Sequence, residues 1–360
     1  MTILLFILVL VVLIVVHELG HFFAAKWAGM RVEEFGLGYP PRAAVLAKKH
    51  GTEYTLNWLP FGGFVRIYGE DGEGAGKDSF AAKSHLLQAI VLAAGIIMNI
   101  VFAWVLISIS LGLGMPRALS SAEVAQAPDA RLMVSRVVSG SPAEEAGFVV
   151  GDVITKAEAG AELFVSADSE AFTAFIGSHP EPLSMQVVRA GETLTLTATP
   201  EVGTLPDTPE RAALGIGVAS VGTVAVPALE APIEGARMTW ELTKDVAIGL
   251  IGFFGSIFTL SADLSQVSGP VGIAGAVGNA SATGLVALLT LVAVISVNLA
   301  LINLLPVPAL DGGRLLFVLI EAVTRRKIPE KVTGAVNTAG FVFLILLMVL
   351  ITASDIGKLF

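Results

Sequence analysis

His17, Glu18 and His21 stand together in the pentapeptide "HELGH". On a helix, His17 and His21 fall one turn apart on one face, so two imidazoles can grip a single ion. Glu18 sits one step round the helix. It can reach a water held by that ion without ligating the ion itself. Two histidine ligands beside one glutamate base is the division of labour in a zinc hydrolase. Bound zinc makes water a competent nucleophile near neutral pH and polarises a scissile carbonyl. Glu18 would take the proton and pass it to the leaving nitrogen. Such an ion needs a third protein ligand and keeps one position open.

The surroundings of the cluster sharpen the reading. It interrupts "LVLVVLIVVHELGHFFAAKWAG", residues 8–29, a run otherwise built for lipid. Ionisable side chains at that depth cost several kcal/mol unless partnered, so three in one helical turn imply a use. The whole chain has the same character, with 54% hydrophobic and only 15% charged residues in 360. A soluble protein of this length exposes more charge. Four apolar runs are long enough to cross a bilayer, at about 20 residues each: 3–29, 86–113, 285–323 (interrupted) and 338–354. The run 246–260 is short and glycine-rich and reads as an interfacial or partly buried helix. The first run lacks the basic start of a cleaved signal peptide and holds the cluster inside its apolar part, so it reads as a span. About 14 apolar residues precede His17, roughly 21 Å of helix in a core about 30 Å thick. The cluster therefore lies deep, nearer the Lys26 end. There is no cysteine, which excludes disulfides, thiolate catalysis and cysteine-held metals.

A third ligand must come from the few acids in apolar surroundings. In "NLLPVPALDGGRLLF", residues 303–317, Pro306 and Pro308 break the third run and Asp311 sits at the break. Broken helices at membrane depth are tolerated where they line a cavity or site. Asp311 is thus the candidate ligand, with a plain helix N-cap as the alternative role. Asn303 could hydrogen-bond a substrate backbone or an oxyanion, or simply join two helices.

Lys and Arg in short links set orientation. The link after the first run carries Lys26, Arg31, Arg42, Lys48, Lys49, Arg66, Lys77 and Lys83, and the link before the last carries Arg325, Arg326, Lys327 and Lys331. Both should be cytoplasmic. Residues 114–245, with 18 Asp/Glu against 8 Lys/Arg, should lie outside, as should both termini. No basic run suggests a nucleic-acid partner.

The pair "HELGH" and "NLLPVPALDGG" resembles the site-2 protease family of intramembrane zinc metalloproteases, and within it the bacterial regulator-of-sigma-E protease branch. The resemblance extends over the order of spans, "FGGFVRIYGED" at 61–71 and "SGPVGI" at 268–273. The second span keeps Gly95 and Asn99 of the family pattern, but reads "AAGIIMN" where members often have Gly-Pro before the asparagine. The resemblance implies His17, His21 and Asp311 as ligands of one Zn2+, Glu18 as catalytic base and Asn303 as a substrate contact. It also implies a bacterial inner-membrane location and single-span substrates, such as trimmed anti-sigma factors or signal-peptide remnants.

Two further segments complete the plan. Residues 31–82 contain two β-rich stretches with "KKHGTE" as the turn between them. A sheet edge there, at Gly62 and Gly63, could hold an extended substrate by strand addition, and the resemblance implies that this hairpin is membrane-associated. Residues about 130–200 read as a small β-rich domain, with Ser141-Pro142 starting a helix. "SPAEEAGFVVGDVI" resembles the PDZ fold, which implies a peptide ligand or a gate against large ectodomains; a spacer is the alternative. "KAEAGAEL" lacks the Asn-Gly expected at one hairpin of that fold. The expected architecture is a polytopic α-helical membrane protein with about four transmembrane helices: residues 1–113 form the first half of the membrane core, 114–245 the external segment and 246–360 the second half. A divalent-ion transporter would need acids along a continuous path, and a scaffold without activity would need no Glu18.

Overall fold

The computed structural model describes residues 2–70, 76–189, 191–204, 212–223, 225–258 and 268–357. They fall into two compact units, residues 1–110 with 228–360, and residues 111–227.

The first unit is helical. Helices α1 (Thr2–Trp27), α2 (His85–Gly112), α8 (Leu285–Leu304) and α10 (Glu330–Gly357) include the four stretches long and apolar enough to span a bilayer. In α1 and α8 apolar residues cover every face, as a helix surrounded by lipid requires. Their large side chains remain exposed on the protein, for example Leu4 and Leu8 on α1 and Phe341 and Leu346 on α10. The interrupted third run divides as its prolines dictate: α8 stops at Leu304 and α9 (Asp311–Thr324) starts afresh. The last span begins at Lys331, seven residues before the apolar run does.

The run 246–260 is helical and partly buried, as read, but it is the C-terminal part of a longer helix: α6 runs unbroken over Ala231–Phe258, and 259–260 lie outside the described residues. Glycines weaken a helix by only about 1 kcal/mol each, too little to end α6. Thr239 is buried, and Trp104 of α2 donates its indole N–H to Pro232 at 2.8 Å.

Between α1 and α2, β1 (Val32–Lys49) and β2 (Thr52–Ile67) form an antiparallel hairpin. The turn falls inside "KKHGTE": His50 and Gly51 both take positive φ, 51° and 77°. That geometry matches the twist of the flanking strands. Both strands bend, so the first part of β1 pairs with both halves of β2: Phe35 faces Tyr54 on one side and Val65 on the other. Glu34 pins the bend. Its buried carboxylate accepts from Thr55 Oγ1 and Arg42 at 2.8 Å and pairs with Arg66 at 3.0 Å. The segment 63–67 is left on the outside of this sheet, and β2 packs on α1.

The second unit is a sheet in the order β3 (Pro116–Ala118), β9 (Ile216–Thr223), β4 (Arg131–Val137), β5 (Val153–Ala159), β7 (Leu183–Arg189), β8 (Glu192–Ala198), with β6 (Glu162–Phe164) on β5. Helix α5 (Ser169–Ser178) buries Phe172 and Ile176 in a core with Leu132, Val134, Leu183, Met185 and Leu214. The sheet takes in β3 and β9, both outside residues 130–200. Ser141 caps the short helix α4 (Pro142–Glu145), its Oγ accepting from the Glu144 amide. The β5–β6 hairpin forms without Asn-Gly, because Gly160 supplies the positive φ. Asp152, fully buried, is held by Arg189 Nε at 2.7 Å and Nη2 at 2.8 Å. The Val226 amide donates to the Leu111 carbonyl, so this unit begins and ends at one point.

Candidate metal centre

Helices α1 and α2 pack antiparallel, because His21 on α1 meets Val91 on α2 while His17 meets Asn99. They approach closely. Gly20 and Gly95 face each other, and a Cβ on Gly20 would lie 2.3 Å from the Ala94 carbonyl oxygen. This leaves His17 and His21 buried, at 7% and 8% exposure, with their Nε2 atoms 3.1 Å apart.

Asp311 arrives from 294 residues away. Its Oδ2 lies 2.8 Å from His17 Nε2 and 3.2 Å from His21 Nε2. The N-cap role is not its own: Leu310 holds that position, and Asp311 is the first helical residue of α9. There the positive end of the helix dipole favours a carboxylate. Zinc ligands about 2.0–2.1 Å from a tetrahedral ion stand about 3.3–3.4 Å apart. The three observed separations, 2.8, 3.1 and 3.2 Å, are slightly shorter, so a small outward movement of the side chains would admit the ion. The donor set, two imidazole nitrogens and one carboxylate oxygen, also suits zinc. Among the described residues these three are the one group placed to hold a metal. His21 is already set for the task, since its Nδ1 donates to the Val91 carbonyl at 2.8 Å and leaves Nε2 free.

A cavity of about 440 Å³ opens on the centre. Glu18, His17 and Asp311 line it, with Asn303 from α8 and Gly62 and Gly63 from β2. Its remaining walls include Leu10, Ile14, Leu299 and Tyr39. Six of the seven residues singled out in the sequence line this cavity, and the seventh, His21, adjoins it through His17 and Asp311. Asn303 has no hydrogen-bond partner among the described residues, so its amide is available to a ligand. Gly62 holds φ at 102°, and the Tyr39 ring occupies the space a Cβ would need.

Sequence reasoning gave no role to three contributors: the Val91 carbonyl, Gly95 and Asn99. Their spacing of four puts them on one face of α2, matching the spacing of His17 and His21 on α1. Tyr39 was also missed; nothing in a single sequence separates it from other hairpin aromatics.

The model of peptidase family M50, the site-2 protease family, matches residues 5–347. The chain belongs to this family. A zinc metalloprotease of Clostridium perfringens is 36% identical to it, over 96% of this chain and 95% of that protein. A zinc metalloprotease of Nostoc is 33% identical over 100% and 97%, and one of Synechocystis 35% over 96% and 92%. The protein is a zinc metalloprotease, and its four apolar helices make it a multi-pass membrane protein.

Proposed function

We propose that this M50 peptidase is an intramembrane endopeptidase that cuts transmembrane segments of other membrane proteins. In this reading His17, His21 and Asp311 hold one Zn2+ and Glu18 is the general base. The observation that carries it is the cleft: His17 and Asp311, whose ligand atoms converge with that of His21, line one cavity with Glu18 and Asn303. The helices that line it, α1 and α8, are of membrane-spanning length. When bound, zinc supplies an activated water and a polarised carbonyl. Glu18 holds the proton on its carboxylate and returns it to the leaving nitrogen. Asn303 donates to the oxygen of the scissile carbonyl or its neighbour.

A transmembrane helix hides its carbonyls in its own hydrogen bonds, so cleavage needs a locally extended strand. The outer edge of β2 beside Glu18 supports strand addition there. A Cβ on Gly63 would come within 3.7 Å of Glu18 Cγ and 3.5 Å of Ile14 Cγ2. Gly63→Val is therefore expected to raise KM by filling the cleft, with zinc content unchanged. Gly62→Pro is expected to impair cleavage outright, because proline fixes φ near −65° where 102° is required. Normal cleavage by both variants would remove the edge from the mechanism.

In this proposal the membrane topology follows the charges: the Lys/Arg-rich links face the bacterial cytoplasm and residues 114–245 face outward across the inner membrane. Substrates are single-span regulators of the trimmed anti-sigma-factor kind, or signal-peptide remnants. The external unit is PDZ-like and works as a gate or peptide-binding filter. Because residues 111 and 226 adjoin, a glycine-serine linker can replace 114–225. That variant is expected to cut full-length substrates that the intact chain spares; continued resistance sinks the gate. The reading as a whole is tested by co-expressing a library of single-span proteins with wild type and with Glu18→Gln. Substrates should accumulate only beside the variant, and identical profiles would end it.

A further inference from the structure

His17 and His21 differ in what stands behind them. Behind His21 is a backbone carbonyl, which can only accept. Behind His17 is the Asn99 side chain, 3.2 Å from Nδ1 through its amide nitrogen. Asn99 is fully buried, and its Oδ1 has no partner among the described residues. A histidine that ligates through Nε2 carries its proton on Nδ1, and that proton needs an acceptor. An amide nitrogen cannot serve. Rotation of the amide by 180° exchanges two atoms of nearly equal size and brings Oδ1 to the same place. Either orientation leaves one amide atom unpaired within the protein, so the His17 proton decides between them. The backbone need not move: Ser296 on α8 donates to the Asn99 carbonyl at 2.8 Å and fixes this turn of α2.

We propose that Asn99 is the positioning residue for His17, accepting its Nδ1–H through Oδ1 so that Nε2 is free to bind zinc. Helix α2 then orients both imidazoles, with Val91 and Asn99 eight residues apart and Gly95 between them at the metal. Asparagine is suited to the place because one rotation lets it face either tautomer of His17, which leucine, alanine and aspartate cannot do.

The inference rests on His17 being a zinc ligand, and the experiment separates the two. Zinc dissociation constants are measured by chelator competition on the detergent-solubilised full-length chain, and Co2+ absorption spectra report the ligand geometry. Asn99→Leu is expected to weaken zinc binding about 10–100-fold, the usual effect of losing such an outer partner. Asn99→Asp, which can only accept, is expected to bind zinc close to wild type and keep its Co2+ spectrum. Wild-type affinity in Asn99→Leu would overturn the proposal, as would loss of zinc in Asn99→Asp. Asn99→Ala replaces the leucine variant should that one not fold. Wild-type zinc binding by His17→Ala would overturn the ligand assignment itself; loss there with full binding in Asn99→Leu overturns only the role of Asn99.

Discussion

Glu18→Gln is expected to slow cleavage of a membrane substrate by about 10²–10⁴-fold, the span of general acid–base contributions, with one zinc still bound per chain. Glutamine keeps the size and shape of glutamate but cannot take up the proton. Glu18 lines the cavity yet is not among the three residues whose ligand atoms converge. Chemistry and metal binding should therefore part company in this variant. Metal analysis of the purified chain and cleavage in proteoliposomes measure the two separately. Unchanged cleavage would remove Glu18 as the base. Loss of zinc along with cleavage would make it a ligand instead.

Gly95→Ala is expected to do the reverse and lower zinc affinity about 100-fold or more, at or beyond the upper end for changes just outside a ligand shell. A Cβ at this position would lie 2.4 Å from His21 Nε2 and 2.8 Å from His17 Nε2. Those are the two atoms that would face the ion. Alanine favours the helix over glycine by about 1 kcal/mol, so α2 itself should persist and the effect should be confined to the centre. Equilibrium dialysis against zinc, with thermal unfolding as a control on the fold, reads the result. Full zinc affinity in Gly95→Ala would mean that α1 and α2 stand further apart than the contacts of Gly20 and Gly95 indicate.

What could be read in advance follows from what local sequence encodes. The spans were legible because Leu, Val and Ile fill every face of α1 and α8. His17 and His21 were legible because their spacing is helical, and Asp311 because Pro306 and Pro308 break the run beside it. The hairpin turn was legible from "HG" between β-rich stretches. The extent of the second sheet was not: β3 and β9 join it from outside residues 130–200, and pairing at that separation leaves no local trace. The full length of α6 was not legible either, because the glycines in 246–260 dilute the apolar signal and make its C-terminal part look like a short helix. The role of Asn99 was invisible for a different reason. An asparagine in an apolar helix signals a partner but does not name it, and His17 is 82 residues away.

The long separation of His17 and Asp311 also places the centre in time. The chain is made from its N-terminus at about 5–20 residues per second, and 294 residues part these two. About 15–60 s therefore pass between their synthesis. Throughout that interval His17, Glu18 and His21 stand on α1 without Asp311, the third ligand of the proposed site. In the proposed mechanism hydrolysis therefore waits until Asp311 has been made, so the nascent chain does not attack its neighbours while its first helices insert.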